Sequence, residues 1–280
     1  MAPAKTKPAI KPSSDRKVRC RPSQKNTFGL MPGRGGTCPA STRGCGGCES
    51  PEPGRKTPTC YVFPLMRAYK GVEGVLQNNT DLLMNSDIPT MTQLLVDEFN
   101  RFLRLEKRAR KTNMAYRLHW SGDIFSKDYA TALTAAMREF PEIRFWCYTR
   151  SFPYGVKLAR ENGNLSMYLS LDPVNAYAGL RAYFDAMSGV HGELAGTLRI
   201  AYMAPENNFD ETYIKALSLH KTLQIADRQE HGRMLHDDWP EDPVKLKPCP
   251  VDEGWMPLEG GCSSCHLCFR GNPAHVFFRT

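Results

Sequence analysis

The chain has 280 residues, 41% of them hydrophobic and 24% charged, with a formal net charge of +8. That length accommodates one large α/β domain or two small ones with a core that needs no disulfide staples. No stretch approaches the ~18 consecutive apolar residues of a membrane span, and the opening MAPAKTKPAIKPSSDRKVRC lacks the apolar centre of a signal peptide. The expectation is a soluble, cytoplasmic protein with no membrane role. In that reducing compartment, clustered cysteines are more often metal ligands or catalytic thiols than disulfides.

The chain begins with a basic segment, residues 1–27, in which Lys5, Lys7, Lys11, Arg16, Lys17, Arg19, Arg21 and Lys25 stand against the single acid Asp15. Most of the net charge lies here. A Lys/Pro/Ser segment of this kind has too little apolar surface to order itself, so it reads as a disordered tail. It either solubilises the protein or touches nucleic acid through phosphate contacts. Residues 28–236 read as a βα domain carrying one cysteine cluster, and 237–280 as an extension carrying another.

After the tail, KNTFGLMPGRGGTCPASTRGCGGCESPEPGRKTPTCYV has little periodic apolar pattern. So long a loop inside a compact domain is uncommon unless something other than a core orders it, and a metal centre is one such agent. Helical patterns follow at 73–84 and 90–110. In the second, Leu94, Leu95, Phe99, Phe102, Leu103 and Leu105 form a broad apolar face, with Arg101, Arg104, Lys107, Arg108 and Arg110 largely opposite.

From residue 115 the rhythm is regular. AYRLHW, IRFWCYT, LSMYLSLD and TLRIAYM read as strands; SKDYATALTAAMREF (with Ser126 as N-cap), YGVKLAREN and NAYAGLRAYFDAM read as the helices between them. This alternation predicts the α/β class, either a partial βα barrel or a parallel sheet with helices, flanked by cysteine-rich irregular segments at both ends. In such folds the site forms at the carboxyl ends of the strands.

Ten cysteines are present, eight of them in two clusters. The first cluster is Cys38, Cys45, Cys48 and Cys60; the second is Cys249 followed by Cys262-x2-Cys265-x2-Cys268. Zinc sites usually pair two separate C-x2-C knuckles. The overlapping C-x2-C-x2-C with a remote Cys-Pro is similar instead to the loops by which ferredoxins hold a cubane iron-sulfur cluster. Iron-sulfur and zinc both remain open for each cluster, and His266 or His275 is a possible replacement ligand. Structural zinc ordering a coreless loop is the plainer reading of the first cluster. Of the two isolated cysteines, Cys20 and Cys147, the second reads as a small buried hydrophobe.

The strand ends carry the other signal. RLHWSGDIFS places His119, Ser121, Gly122 and Asp123 where the first of these strands turns into a helix; the next ends in Tyr148-Thr149-Arg150-Ser151, and the third in Ser170-Leu171-Asp172. Singly, Ser121 and Asp123 are ordinary turn and cap residues. Recurrence at three successive strand ends points to a site. No P-loop, GxGxxG after a strand, HExxH or GxSxG occurs, which removes the usual nucleotide, zinc-protease and serine-hydrolase readings.

Taken together, TFGLMPGRGGTCPASTRGC, CYV, RLHWSGDIFS, FWCYTRS, CSSCHLCF and HVFF resemble the phage gene product 88 family over roughly residues 27–280. That resemblance implies a phage or mobile-element origin and hence the host cytosol. A more distant resemblance is to radical S-adenosylmethionine enzymes, partial βα barrels with a [4Fe-4S] cluster. In those enzymes a strand ends in Gly-Gly-Glu, which contacts the methionine part of the cofactor. Ser121-Gly122-Asp123 stands in a similar place, Thr149-Arg150 where that superfamily often has Thr-Asn, and LSMYLSLD resembles the strand that follows. The C-x3-C-x2-C loop of that superfamily is absent; Cys38-x6-Cys45-x2-Cys48 is the nearest match.

The leading expectation is therefore an iron-sulfur enzyme of radical S-adenosylmethionine type. Cys38, Cys45 and Cys48, or Cys60 in place of one of them, would hold one [4Fe-4S] cluster. Cys249, Cys262, Cys265 and Cys268 would hold a second, resembling an auxiliary cluster. Ser121, Gly122, Asp123, Thr149 and Arg150 would line the cofactor or substrate site, Arg150 as a bidentate anchor for a carboxylate or phosphate. The alternative is a zinc-stabilised, non-catalytic nucleic-acid-binding protein that uses the basic tail and the helix around 101–111.

Overall fold

The computed structural model describes residues 8–42, 60–172, 174–187, 194, 196–204, 246–250, 256–258, 265, 268 and 275–279. In chain order they form β1 (Thr27–Phe28), α1 (Val62–Ala68), α2 (Lys70–Met84), α3 (Ile88–Arg108), β2 (Ala115–His119), α4 (Lys127–Arg138), β3 (Arg144–Thr149), α5 (Phe152–Glu161), β4 (Leu165–Leu171), α6 (Ala176–Met187), β5 (Thr197–Ala204), β6 (Leu246–Pro248) and β7 (His275–Arg279). The strands make one sheet in the order β1-β2-β3-β4-β5-β7-β6, every pair parallel. Of the two architectures expected, the parallel sheet with helices is the one present: among the described residues β1 and β6 are the outermost strands, β1 carrying an antiparallel bridge to Ser13, and the sheet does not close into a barrel.

The local causes are legible. Ser126 caps α4 by accepting from the Tyr129 N–H at 3.1 Å, and Asp87 caps α3 by accepting from the Thr90 N–H at 2.9 Å. Each of α4, α5 and α6 is followed directly by the strand that pairs with the preceding one, which is the βα repeat read from the sequence.

The two faces of the sheet differ. Tyr116, Leu118, Phe145, Cys147, Leu165, Met167, Leu169, Leu171, Leu198 and Ile200 join the buried side chains of α3–α6 in one large core. The alternate residues Ala115, Trp146, Tyr168, Ala201 and Val276 face the other way, where, among the described residues, Val18, Cys249 and Cys268 pack on them. Arg117 and Arg199 belong to this second parity, and Arg199 is among the largest fully buried side chains of the protein.

Residues 8–27 are not the unordered tail the composition suggests. Ile10, Asp15, Val18, Gln24 and Asn26 are buried. The segment is stitched in by polar bonds: Arg117 donates to Asp15 at 2.9 Å, Arg21 pairs with the buried Glu106 of α3, and the Gln24 amide donates to Glu106 at 3.1 Å. The composition argument fails because it counts only apolar surface, whereas this segment is held through charged and amide groups matched to acids elsewhere in the chain. On α3 the apolar face is as expected except for Leu105, which is 44% exposed. Arg101, expected on the solvent side, folds back onto Glu98 at 2.6 Å.

Cys45, Cys48, Cys262 and His266 lie outside the described residues, as does the expected boundary at 236 and 237. Among the described residues no helix is long and apolar enough to cross a membrane.

Candidate functional site

A cavity of about 190 Å³ opens at the carboxyl ends of β2–β5. Its wall contains all five residues singled out at the strand ends, Ser121, Gly122, Asp123, Thr149 and Arg150, together with Cys38 and Cys60. The sheet thus brings the Ser-Gly-Asp turn, the Thr-Arg strand end and half of the first cysteine cluster to one place.

Asp123 is the joint between two strand ends. Its Oδ1 accepts from Thr149 Oγ1 at 2.5 Å and from the Ile124 N–H at 2.7 Å; Oδ2 accepts from the Arg150 N–H at 2.9 Å. Burial raises its carboxyl above the ordinary carboxylate range, and these hydrogen bonds oppose that rise. Ser121 donates its hydroxyl to the Leu30 carbonyl at 2.7 Å, and the Leu30 N–H donates back to the Ser121 carbonyl at 2.9 Å. The turn needs Gly122: its φ is +84°, and a Cβ there would stand 2.4 Å from Thr37 Oγ1. Ser121 and Asp123 therefore fix the cavity wall through bonds within the protein.

Arg150 reaches Asp172 at 2.5 Å, a residue beyond the end of β4, and both meet Thr42, whose hydroxyl donates to Asp172 at 2.6 Å. Burial pushes the Asp172 carboxyl up, but Arg150 and Thr42 outweigh it and hold the group below the ordinary range. Across the cavity Arg117 lies over the rings of Trp146 and Tyr148, 5.1 and 5.6 Å from their centroids. Tyr61 hydrogen-bonds the Trp120 carbonyl at the rim.

His119 lines the cavity but is not poised as an acid or base. Burial and the charge of Arg117 depress its pKa to about 3, and its Nε2 lies 2.7 Å from the Tyr129 hydroxyl. Cys147 sits 3.7 Å from His119 Nδ1 with its thiol pushed up by burial, so this pair stays neutral and Cys147 packs as the small hydrophobe expected.

The described part of the second cysteine cluster lies on the sheet face opposite α3–α6. Cys249 and Cys268 are buried there. Tyr148 donates to Cys268 Sγ at 3.2 Å, and Tyr168 hydrogen-bonds to it as well. Cys265 lies close enough to Tyr168 to bear on its ionisation. Among the described residues no three His, Cys, Asp or Glu side chains gather closely enough to hold a metal. A thiol-bound centre at either cluster would thus draw on Cys45 and Cys48, or on Cys262. In donor chemistry the thiols fit iron-sulfur or zinc.

The sequence reading missed Arg117 and Arg199. A signal was present in each case: an arginine in the middle of a short buried strand, as in AYRLH and TLRIAYM, marks a face that is not ordinary core.

Comparison with known proteins gives a consistent picture. The family model described as gene product 88 matches residues 3–271. The Gene 88 proteins of Mycobacterium phages D29 and L5 are each 34% identical to the chain over 151 residues, 54% of this chain and 58% of theirs. The chain thus matches less than two thirds of the length of these relatives. No solved structure matches. None of these matches supports the likeness to S-adenosylmethionine enzymes. With nearly its whole length covered by the family model, the chain belongs to the phage gene product 88 family.

Proposed function

We propose that the protein is an enzyme whose reaction site is the strand-end cavity, served by a cysteine-held iron-sulfur centre at the cavity wall. One observation carries this reading: Cys38 and Cys60, far apart in sequence, stand in the same wall as Ser121, Gly122, Asp123, Thr149 and Arg150. Cys45 and Cys48 would complete the ligand set. Iron-sulfur is preferred to zinc because an all-thiolate zinc set is normally closed and structural, whereas a thiolate-held cluster keeps redox chemistry beside a ligand cavity. When bound, such a centre supplies one-electron chemistry. The chain's own residues do the rest: Asp123 and Thr149 keep two strand ends in register, Arg150 is braced by Asp172, and the aromatic rim of Tyr61 and Trp120 limits water. Cys249, Cys262, Cys265 and Cys268 are proposed as a second centre on the sheet face opposite α3–α6, where Tyr148 and Tyr168 would hydrogen-bond the sulfur of Cys268.

The volume bears on the co-substrate. At about 190 Å³ the cavity is below the ~300–1,000 Å³ of ordinary ligand clefts. A small metabolite enters it as it stands; S-adenosylmethionine requires the rim to open. The nucleic-acid alternative is weaker, since Arg21 and Arg101 are engaged by Glu106 and Glu98. The test is iron, zinc and acid-labile sulfide content of protein purified without oxygen, with its visible spectrum before and after dithionite. Brown protein that bleaches on reduction, and loses iron on Cys38→Ser with Cys60→Ser, is the expected result. Colourless protein holding only zinc overturns the proposal and makes salt-dependent DNA binding the next measurement.

A further inference from the structure

The hydrogen-bond balance of the cavity is lopsided. Its acceptors are engaged within the protein: both Asp123 oxygens are bonded, and Asp15 and Asp172 bond the two arginines. Its donors are less fully used. Arg117 gives Nη1 to Asp15 and also hydrogen-bonds the Tyr61 side chain, and its Nε is buried out of reach of the cavity. Arg150 gives Nη1 to Asp172 and Thr42, while Nη2 meets only the thioether of Met203 at 3.8 Å, a poor acceptor. A guanidinium donor left this way beside a cavity calls for an explanation.

We infer that the cavity binds a small carboxylic acid, its carboxylate accepting from the guanidinium groups of Arg117 and Arg150. This deepens the reading of the cavity as the reaction site and rests on it. Three features select the class. Each guanidinium is braced by one carboxylate through a single nitrogen, Asp15 at 2.9 Å and Asp172 at 2.5 Å, which fixes the forks without using all their donors. The volume of about 190 Å³, below the ~300–1,000 Å³ of ordinary ligand clefts, suits a small acid better than a large metabolite. Pro32, Val62, Trp120, Tyr148 and Met203 give the rest of the wall the apolar surface that a short carbon skeleton needs.

The experiment is titration calorimetry and thermal unfolding of the full chain with pyruvate, with its neutral counterpart pyruvamide and with inorganic phosphate, the metal content of each sample being determined in parallel. Saturable binding of pyruvate that raises the melting temperature is expected, at least about tenfold tighter than either comparison ligand. Arg150→Gln should weaken binding by about tenfold or more, with Arg150→Lys in between, because a lysine keeps the charge and loses the fork. Should Arg150→Gln fail to fold, Arg117→Gln combined with Asp15→Asn removes a guanidinium together with its brace and serves the same purpose. Equal binding of acid and amide, tighter binding of phosphate, or no binding at tens of millimolar overturns the inference. Since metal is measured separately, loss of the iron-sulfur reading with pyruvate binding intact, or the reverse, tells the two proposals apart.

Discussion

Two faces of one sheet have been given different environments. On the helix-covered face, neighbouring groups are kept neutral: His119 packs under Tyr129 of α4 with its pKa near 3, and His275 under Tyr183 of α6 with its pKa near 4. His275 Nδ1 accepts from the Ile200 N–H at 3.0 Å, a bond that a protonated ring could not make. On the other face arginines are tolerated, because Arg117 has Asp15 and aromatic rings, and Arg199 has Tyr168 under its guanidinium at 4.4 Å and the Cys268 carbonyl at 3.2 Å. The helices present mostly hydrocarbon to the sheet, and the charge they do bring in, Glu98 of α3, is met by the Tyr116 hydroxyl and by Arg101. On the other face, among the described residues, carboxylates, carbonyls and thiols meet the arginines directly.

Adjacent residues of β4 offer the largest test of that contrast. Leu169 faces the helices and Tyr168 faces away. Leu169→Ala should cost about 2–5 kcal/mol in urea unfolding, by lost transfer energy plus a cavity. Tyr168→Phe, which removes one hydroxyl, should cost only about 1 kcal/mol while changing the environment of Cys268. Similar losses at both positions would mean that the faces are not energetically distinct.

A smaller effect is expected where the cavity wall turns. Gly122→Ala must adopt φ +84° and meet Thr37 Oγ1 at 2.4 Å and Leu30 Cβ at 2.6 Å. Destabilisation of about 1–3 kcal/mol should follow, and in a double-mutant cycle Thr37→Ala, which removes the crowding hydroxyl, should not relieve it, since the backbone strain remains. Full rescue by Thr37→Ala would place the cost in the contact alone.

A further expectation concerns pH. The folded-state pKa values of His119 and His275 lie below the ordinary value of about 6.5, so the unfolded chain takes up protons first. Their contribution is complete above about pH 6.5 and is lost as pH falls toward 4, with a slope of at most about 1.4 kcal/mol per pH unit for each ring. Urea midpoints should drop between pH 7 and 5, and His119→Asn should flatten that drop. An unchanged slope in the variant would mean that His119 is not held neutral by the helix side.

Much of this architecture was written locally. The alternation of AYRLH, RFWCYT and LSMYLSL with amphipathic runs, the Ser126 cap and the glycine in Ser-Gly-Asp each depend on contacts within a few residues, where periodicity and capping rules operate. From these the parallel βα order and the polar strand ends of the candidate site followed. What only the tertiary structure decided was which distant residues meet them. The basic segment packs because Arg21 finds Glu106, and Asp15 finds Arg117, across most of a hundred residues. β6 and β7 add to the sheet although neither has a strong strand pattern of its own. Cys38 and Cys60 reach the cavity, while Cys249 and Cys268 reach the opposite end of Tyr148. Such pairings are set by charge matching and surface complementarity between elements remote in the chain, a property that no window along the sequence contains.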